Sequence, residues 1–466
     1  MVFDWVAIAV GDVLWIALAF VFGFLVRLIG LPPLVGFLVA GFVLNAQGAV
    51  SGVMLQKLSD VGITLLLFSI GLKLNLRTLA RPQVWAVTAL HTVAVVLLFS
   101  LLFQLLAVVG VPLFSGLDTP HLLLIAFALS FSSTVFVVKV LEERGEMNSL
   151  HGRIAIGVLI MQDLLAVIFL AVSSGKIPSP WALGLLLLIP LRPLLLRLME
   201  RTGHGELMIL FGFTLALGGA ELFELVGMKG DLGALVLGVL LAGHHKTSEL
   251  ARSMLGFKDL FLVGFFLSIG LSGQPTPASL GIALLLLCLL PVKSLFFFRL
   301  FTGFRLRART SLLATLNLSN YSEFGLIVAA IGATNGWIAN EWLVVIALAL
   351  SLSYVAASPA NSWANQIYSR YRSLWGRYQR NERLPDDVVI DPGNASIVVL
   401  GMGRVGTGAY DRMRERYGDV VVGIDADPET VLRHQAAGRR ALLGDPTDAD
   451  FWERIERRDR VQLVLM

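Results

Sequence analysis

One acidic residue, Asp163, lies in the middle of an apolar segment, where a carboxylate is least expected. The apolar run spans residues 154–172, which is long enough to cross a bilayer, and Gln162 and Asp163 lie near its centre. A charged side chain at mid-membrane costs roughly 3 kcal/mol even on the lenient insertion scale, and such residues usually serve ion or proton pathways. We therefore predict that Asp163 binds a proton and a cation in alternation. A structural ion pair inside a helix bundle is the open alternative.

Two other apolar segments are interrupted by polar residues. One interruption comprises Ser130, Ser132, Ser133 and Thr134, and the other comprises Asn317, Ser319, Asn320, Ser322 and Glu323. In transporters, hydroxyl groups and freed backbone carbonyls at broken helices replace the hydration shell of a cation. The alternative is that these hydroxyls bond to carbonyls of their own helix or join neighbouring helices.

Lys293 lies inside a third apolar segment, residues 278–301, too deep for its ammonium to reach the membrane surface easily. A buried ammonium needs a partner. We expect Asp163 or Glu323 to compensate its charge, and a structural pair without a role in transport is the alternative.

A different chemistry is indicated near the C-terminus. The glycine loop GMGRVG follows a predicted strand and opens a predicted helix; its functional candidates are Gly401, Gly403, Arg404, Val405 and Gly406. Glycines in this context admit a pyrophosphate, and the amides at the helix start bind it. Asp425 ends the next strand and is expected to bind ribose hydroxyls, while Asp445 is expected to border the adenine pocket. The alternative is a Rossmann-like fold that uses the glycines for packing alone.

The composition places these residues in a membrane protein. Of the 466 residues, 56% are hydrophobic and only 15% are charged, whereas a soluble globular protein carries roughly 25% charged residues. The basic residues are spread over many short loops, which argues against nucleic acid as a partner and for a lipid bilayer. The single cysteine excludes an intramolecular disulfide and a multi-cysteine metal site. The histidines lack ligand spacing, so we predict no metal beyond a transported monovalent cation.

Apolar windows of about 20 residues predict about thirteen membrane-spanning segments. They cover residues 5–26, 31–45, 58–72, 84–110, 120–141, 154–174, 181–198, 206–226, 230–243, 258–272, 278–301, 310–333 and 341–363. Basic residues are concentrated in alternate loops, and the positive-inside rule places those loops in the cytoplasm. The N-terminus is therefore predicted outside and the C-terminus inside.

The membrane region contains an internal repeat. The Gly36-x4-Gly41 pattern reappears as Gly233-x4-Gly238, and the FSIGL sequence of residues 68–72 reappears as LSIGL. Each matched pair lies seven predicted spans apart, and an odd number of spans reverses direction across the membrane. We therefore predict two inverted repeats, an arrangement typical of secondary transporters whose sites lie where helices are interrupted.

The remainder of the chain has a different composition. A polar linker, residues 381–394, separates the transmembrane region 1–380 from residues 395–466, which alternate strands with helices. This βαβαβαβ run is the first part of a doubly wound parallel sheet. We expect the cytoplasmic Rossmann-like domain to be incomplete in this chain, because a half-sheet leaves a hydrophobic edge.

These residues together resemble the Kef-type potassium/proton antiporters of the monovalent cation:proton antiporter-2 family, over nearly the whole chain. The resemblance is carried by GLPPLVGFLVAGFVL, DVGITLLLFSIGLKL, LSFSSTVFVVKVL, the Gln162-Asp163 pair, KGDLGALVLGVLLAG, GFFLSIGLS, Lys293 and SEFGLIV. The tail, with GMGRVG, GIDADP and GD, resembles a regulator-of-potassium-conductance domain.

The resemblance implies broken crossed helices, a homodimer in the inner membrane, elevator-type alternating access and room for an ancillary regulatory subunit. It assigns ion and proton binding to Asp163, ion coordination to Gln162 and the hydroxyls of Ser132, Ser133 and Thr134, and charge compensation to Lys293 with Glu323. It implies AMP or NAD(H) as the regulatory ligand. Glutathione-gated members carry an acidic cluster after the ninth span, where this chain has Glu249 among basic residues, so nucleotide regulation without glutathione is expected.

The leading hypothesis is a K⁺/H⁺ antiporter, with Na⁺ as an open substrate alternative. A nucleotide-gated potassium channel would show a TVGYG-like carbonyl filter, which the sequence lacks. A membrane-anchored NAD enzyme needs a catalytic acid or base and a substrate domain, and the tail supplies neither. We therefore predict that the protein is not an enzyme.

Overall fold

The computed structural model describes residues 4–28, 31–49, 52–73, 79–111, 113–147, 149–173, 179–228, 230–380, 382, 384, 387, 390–425, 427–444, 451–452 and 460–465. Contacts group the chain into two compact units. The first comprises residues 1–136, 157–296 and 319–359, and the second comprises residues 137–156, 297–318 and 360–466. The predicted domain boundaries at 380 and 395 stay a prediction.

Helices dominate the chain up to residue 376. Their bounds are α1 Asp4–Leu28, α2 Pro33–Ala46, α3 Val53–Lys73, α4 Pro82–Val108, α5 Thr119–Ser130, α6 Thr134–Glu143, α7 Leu150–Ser173, α8 Leu188–Arg201, α9 Glu206–Leu225, α10 Gly230–Leu241, α11 Thr247–Leu271, α12 Pro277–Gly303, α13 Ala308–Leu318, α14 Glu323–Thr334, α15 Glu341–Ser362, α16 Ala364–Arg370 and α17 Arg372–Gly376. A 3-10 helix, Pro180–Leu187, precedes α8.

Within the described residues, seven segments are long and apolar enough to cross a membrane, and five shorter apolar helices accompany them. The predicted multi-span helical architecture is therefore confirmed, and the count of thirteen spans stays a prediction. The helix α11 begins at Thr247, well before the predicted span at 258–272. Its first turns are polar, and an apolar window detects only the part of a helix that lies in lipid.

Close helix crossings explain the repeated glycines. A Cβ on Gly41 would lie 2.7 Å from the Cα of Gly270, and a Cβ on Gly71 would lie 2.9 Å from the Cα of Gly238. Only glycine lets two backbones approach so closely. The crossing of α2 with α11 thus has the same form as the crossing of α10 with α3. Each crossing joins one sequence repeat to the other, as two inverted repeats related by a pseudo-two-fold axis require.

The second unit contains a four-stranded parallel sheet. Its strands are β1 Ile397–Leu400, β2 Val421–Asp425, β3 Ala441–Leu443 and β4 Leu463–Leu465, in the order β3-β2-β1-β4. The helix α18 (Arg404–Tyr417) connects β1 to β2, and α19 (Pro428–Ala436) connects β2 to β3. Val398, Val422 and Ile424 form part of the core on one face of the sheet. This confirms the predicted small parallel α/β domain.

Candidate functional site

The first helix break lies between α5 and α6, at residues 131–133. Gln162 of α7 spans this break: its side-chain oxygen accepts from the amide of Ser132 at 3.0 Å, and its side-chain nitrogen donates to the carbonyl of Ser130 at 3.2 Å. Gln162 is fully buried, and each backbone group left unpaired there would cost about 1–3 kcal/mol. Both polar atoms of Gln162 therefore serve the backbone of the break, and the ion-coordinating role that the resemblance implies stays a prediction.

The second break, at residues 319–322, meets the first. The side-chain oxygen of Asn320 accepts from the amide of Ser133 at 2.6 Å. Ser133 and Ser322 start the next half-helices, because their hydroxyl oxygens accept from the amides of Phe136 and Phe324. The two interrupted helices therefore cross at their breaks, and a direct hydrogen bond joins the two non-helical segments.

Lys293 of α12 binds both breaks at once. Its ammonium donates to the carbonyl of Phe131 and to the carbonyl of Asn320, the second at 2.8 Å. It also lies 5.0 Å from the centre of the Tyr321 ring. The sequence predicted a carboxylate partner for this ammonium. Among the described residues its hydrogen bonds go instead to carbonyls at the C-terminal ends of α5 and α13, where the helix dipoles place negative charge.

The two acidic residues lie at the opposite, positive ends of the half-helices. Asp163 accepts from the hydroxyl of Thr134, the first residue of α6, at 3.0 Å. Glu323 is the first residue of α14 and lies beside the phenol of Tyr354. Each carboxylate is 1% exposed. A buried anion at a helix N-terminus and a buried cation at a helix C-terminus both compensate the dipole, so the site balances its charges through half-helix ends.

The structure thus brings Ser132, Ser133, Thr134, Gln162 and Asp163 together, as the sequence predicted. Three further residues belong to this environment and were missed as site residues: Tyr321, Tyr354 and His91, whose Nε2 lies 3.3 Å from the carbonyl of Lys293. Tyr354 and His91 are single residues on other helices, so no spacing signal indicates them, whereas Tyr321 lies inside the second break beside Asn320 and could have been found there. The ion-binding and charge-compensating roles stay predictions.

The glycine loop forms a cradle at the start of α18. Gly401 has a positive φ of 81°, and a Cβ on Gly406 would lie 1.8 Å from the carbonyl oxygen of Gly401. Both positions therefore require glycine. The N-cap of α18 is Gly403, which has no side-chain cap, whereas Asp427 caps α19 by accepting from the amide of Thr430 at 3.1 Å. The α18 terminus has the geometry of an anion-binding site, so these residues fit a nucleotide phosphate.

Asp425 and its neighbours complete the cradle. The carboxylate of Asp425 accepts from the amides of Met402 at 2.7 Å and Asp427 at 2.9 Å. It therefore fixes the glycine loop against the end of β2, and its remaining lone pairs are the ones that could accept from a ribose. Arg404 and Val405 are exposed. The predicted contact at Asp445 lies outside the described residues.

The hydrogen bond from the Thr430 hydroxyl holds the pKa of Asp427 below its usual value. The cap on α19 is therefore ionised at neutral pH, and a carboxylate is favoured at a helix N-terminus.

The last turn of α8 and the loop after α10 contain a group of potential metal ligands that the sequence analysis did not predict. Ligand atoms of Glu200, His244 and His245 all lie within 4.8 Å of one another. Glu200 and His244 are hydrogen-bonded at 3.1 Å, and the ammonium of Lys246 donates to the carbonyl of Glu200 at 3.1 Å. A neighbouring ammonium opposes a bound cation, and we assign these residues to loop packing.

Crossed helix breaks with buried polar and charged groups define a multi-span membrane protein of the transporter class, followed by a parallel α/β domain. Comparisons with known proteins agree. Residues 16–361 match the family described as "Sodium/hydrogen exchanger, transmembrane", and residues 397–465 match the TrkA-N domain. The chain belongs to the sodium/hydrogen exchanger family.

Two curated relatives resemble the chain over most of its length. The putative cation/proton antiporter YbaL of Escherichia coli (strain K12) is 28% identical over 94% of this chain and 83% of its own length. The glutathione-regulated potassium-efflux system protein KefC of Klebsiella pneumoniae (strain 342) is 29% identical over 91% of this chain and 70% of its own. The predicted Kef-type resemblance is confirmed.

The fold also resembles a solved structure. The sodium proton antiporter MjNhaP1 from Methanocaldococcus jannaschii superposes with a TM-score of 0.57 at 14% identity, over 77% of this chain and 98% of that one. At this identity the similarity supports the fold.

Proposed function

We propose that the protein is a monovalent cation/proton antiporter in which a proton and the cation compete for Asp163. The observation that carries the proposal is a carboxylate, 1% exposed, beside the first residue of a half-helix at the crossing of two breaks. An ionised carboxylate in a low-dielectric interior must be neutralised by a proton or by a cation. When one of the two is bound, the other is excluded, which is the requirement for exchange.

The polar groups around Asp163 support cation binding in place of water. The hydroxyl of Thr134 lies 3.0 Å from the carboxylate, and its oxygen can turn from donor to ligand when a cation replaces the proton. Gln162 and Asn320 hold the two breaks in place through their hydrogen bonds to Ser132 and Ser133. A fixed arrangement of oxygen ligands lowers the cost of stripping water from the cation.

We propose K⁺ as the cargo, because the similar KefC protein is named a potassium-efflux system. Na⁺ is the second candidate, because the family is described as a sodium/hydrogen exchanger and the superposed structure is a sodium proton antiporter. Both cations carry one charge and take oxygen ligands, so Asp163 serves either.

We propose elevator-type alternating access in a homodimer. Two groups of helices within the first unit support this movement: α3 packs on α10 and α11, while α5 packs on α4 and α14. The first group contains the close glycine crossings, and the second contains the first break.

We place the protein in the inner membrane, with the C-terminal α/β domain on the cytoplasmic side and the N-terminus outside, because basic residues are concentrated in alternate loops along the chain. The proposal of an ancillary regulatory subunit rests on the resemblance alone.

We also propose that an adenine nucleotide, AMP or NAD(H), binds the cradle at Gly401–Gly406 and regulates exchange. The uncapped start of α18 and the carboxylate of Asp425 support phosphate and ribose binding. The nucleotide supplies a regulatory signal and takes no part in chemical conversion, so the protein is proposed to have no enzymatic activity.

The test is proton flux in proteoliposomes after addition of K⁺ and, separately, Na⁺. The wild-type protein is expected to move protons in exchange for at least one cation, and Asp163→Asn is expected to abolish that exchange while the protein remains folded. Cation flux without coupled protons would support a channel instead. Full exchange by Asp163→Asn would remove this residue from the mechanism.

A further inference from the structure

The start of α13 is capped by residues from the connector, which we define as residues 377–396 between α17 and β1. The carboxylate of Asp387 accepts from the amide of Arg307 at 2.5 Å and from the hydroxyl of Thr310 at 2.6 Å. The side-chain oxygen of Gln379 accepts from the amide of Ala308 at 3.1 Å. The first amides of a helix have no partner within the helix. Here side chains more than 70 positions away in the sequence bind the amide of Ala308, the first of the helix, and the amide of Arg307, which precedes it.

Asp387 is part of a packed structure, although the sequence predicts only a polar linker around it. Asp387 is 4% exposed. Before it, the ring of Phe298 contacts those of Trp375 and Tyr378, and the guanidinium of Arg299 lies 4.4 Å from the centre of the Tyr378 ring. The connector therefore lies against the end of α12 as well as the start of α13.

The opposite end of α13 leads directly into the ion site. The helix has 11 residues, so it is about 16 Å long at 1.5 Å per residue. It ends at Leu318, and the chain continues into the break at residues 319–322, whose Asn320 binds both Ser133 and Lys293. A short helix moves as a rigid rod, so a displacement at its first turn reaches the break.

The other side of Asp387 leads into the α/β domain. Only nine residues separate it from Ile397, the first residue of β1, and a chain of that length spans at most about 35 Å. The loop Gly401–Gly406 follows β1 immediately. A change in the position of β1 therefore acts on the connector over a short distance.

We propose that Asp387 is a positioning residue that couples the nucleotide domain to the ion site by capping α13. The inference deepens the proposed function and rests on it, because it names the element that carries regulation. Nucleotide binding at the cradle moves the connector, and the cap at Asp387 passes this movement to α13 and hence to the second break.

The alternative is that Asp387 acts only as a buried negative charge near Arg307 and Arg309, each of which is 4% exposed. Two substitutions separate these roles. Asparagine keeps one acceptor oxygen, which is enough for the amide of Arg307, and carries no charge, whereas alanine removes both acceptor oxygens and the charge. Asp387→Asn therefore preserves a cap and Asp387→Ala abolishes it. Asp391→Ala is the matched control, because Asp391 is an exposed residue of the same connector.

The experiment is hydrogen–deuterium exchange of the full-length protein in lipid nanodiscs, with and without AMP and, separately, NADH. Loss of a cap of typical strength should speed exchange of the first amides of α13 about five-fold in Asp387→Ala. Asp387→Asn and Asp391→Ala should exchange like the wild type. The nucleotide should change exchange in residues 308–318 of the wild type and of Asp387→Asn, and should leave Asp387→Ala unchanged.

The coupling is overturned if Asp387→Ala keeps the nucleotide response of the wild type. It is equally overturned if neither nucleotide alters α13 in the wild type. A loss of the response in Asp387→Asn would show that the coupling depends on the charge of Asp387 and not on the cap. Cation-driven proton flux, measured on the same preparations, reports separately whether antiport itself fails.

Discussion

Replacing Lys293 with methionine tests whether this ammonium compensates the broken helices. The substitution keeps an unbranched side chain and removes the donor to the carbonyls of Phe131 and Asn320. Each buried carbonyl left without a donor costs about 1–3 kcal/mol. The change also leaves the carboxylates of Asp163 and Glu323 in a site that has lost its buried ammonium.

Removal of one partner from a buried charged arrangement typically costs about 3–5 kcal/mol. The desolvation of the ammonium itself, which the substitution relieves, opposes this loss, but the uncompensated anions and helix ends outweigh it. At about 2 °C per kcal/mol for a large domain, we expect the apparent melting temperature of Lys293→Met to fall by about 6–10 °C. The assay is thermal unfolding of the purified protein followed by tryptophan fluorescence.

Two comparisons identify the cause of the shift. Lys57→Met makes the same chemical change at an exposed position of α3 and should leave the melting temperature unchanged. The deficit of Lys293→Met should shrink at acidic pH, because protonated carboxylates no longer need a compensating cation. A Lys293→Met protein as stable as the wild type at neutral pH would refute the compensation argument. A deficit that does not vary with pH would show that the carboxylates play no part in it.

Three further outcomes are expected. Thr134→Val, which removes the hydroxyl 3.0 Å from Asp163, should raise the cation concentration for half-maximal proton flux, whereas Thr134→Ser, which keeps the hydroxyl, should have the wild-type value. Equal values in all three proteins would contradict a role for the hydroxyl. Gly406→Ala should abolish nucleotide-induced thermal stabilisation, because its Cβ meets a carbonyl oxygen at 1.8 Å, and retained stabilisation would reject the cradle. The pKa of Asp411 is lowered mainly by its hydrogen bond with Arg439. This pair therefore stabilises the α/β domain at pH values above the unfolded pKa of aspartate, about 4, and the stabilisation is lost as the pH falls through the lower folded pKa. Thermal unfolding of the two proteins should show that Asp411→Asn lowers the stability by at most about 1 kcal/mol at neutral pH and has no effect at strongly acidic pH.

The parts of the site that the sequence predicted are those with a local signature. Asp163 is conspicuous because a charge in an apolar segment is expensive, and the two breaks are conspicuous because hydroxyl and amide residues interrupt long apolar runs. The glycine loop and its strands are readable because steric demands at Gly401 and Gly406 act within a few residues.

The parts that the sequence did not predict depend on which distant ends meet. The partner of Lys293 was expected to be a carboxylate, because a sequence displays formal charges and hides the partial charges of helix ends. These ends become partners only once the two breaks meet, as the hydrogen bond between Asn320 and Ser133 shows. Asp387 was assigned to a polar linker for a related reason: its acceptors become useful only when the start of α13, some 70 residues earlier, lies beside it.

The measurement that tests the central claim most directly is the dependence of cation-driven proton flux on cation concentration at several pH values. If a proton and the cation compete for Asp163, the cation concentration for half-maximal flux should rise in proportion to proton concentration on the acidic side, while the maximal rate stays constant. If the maximal rate decreases as the pH is lowered while the cation concentration for half-maximal flux stays the same, the two ions bind at separate sites. That result would contradict the account.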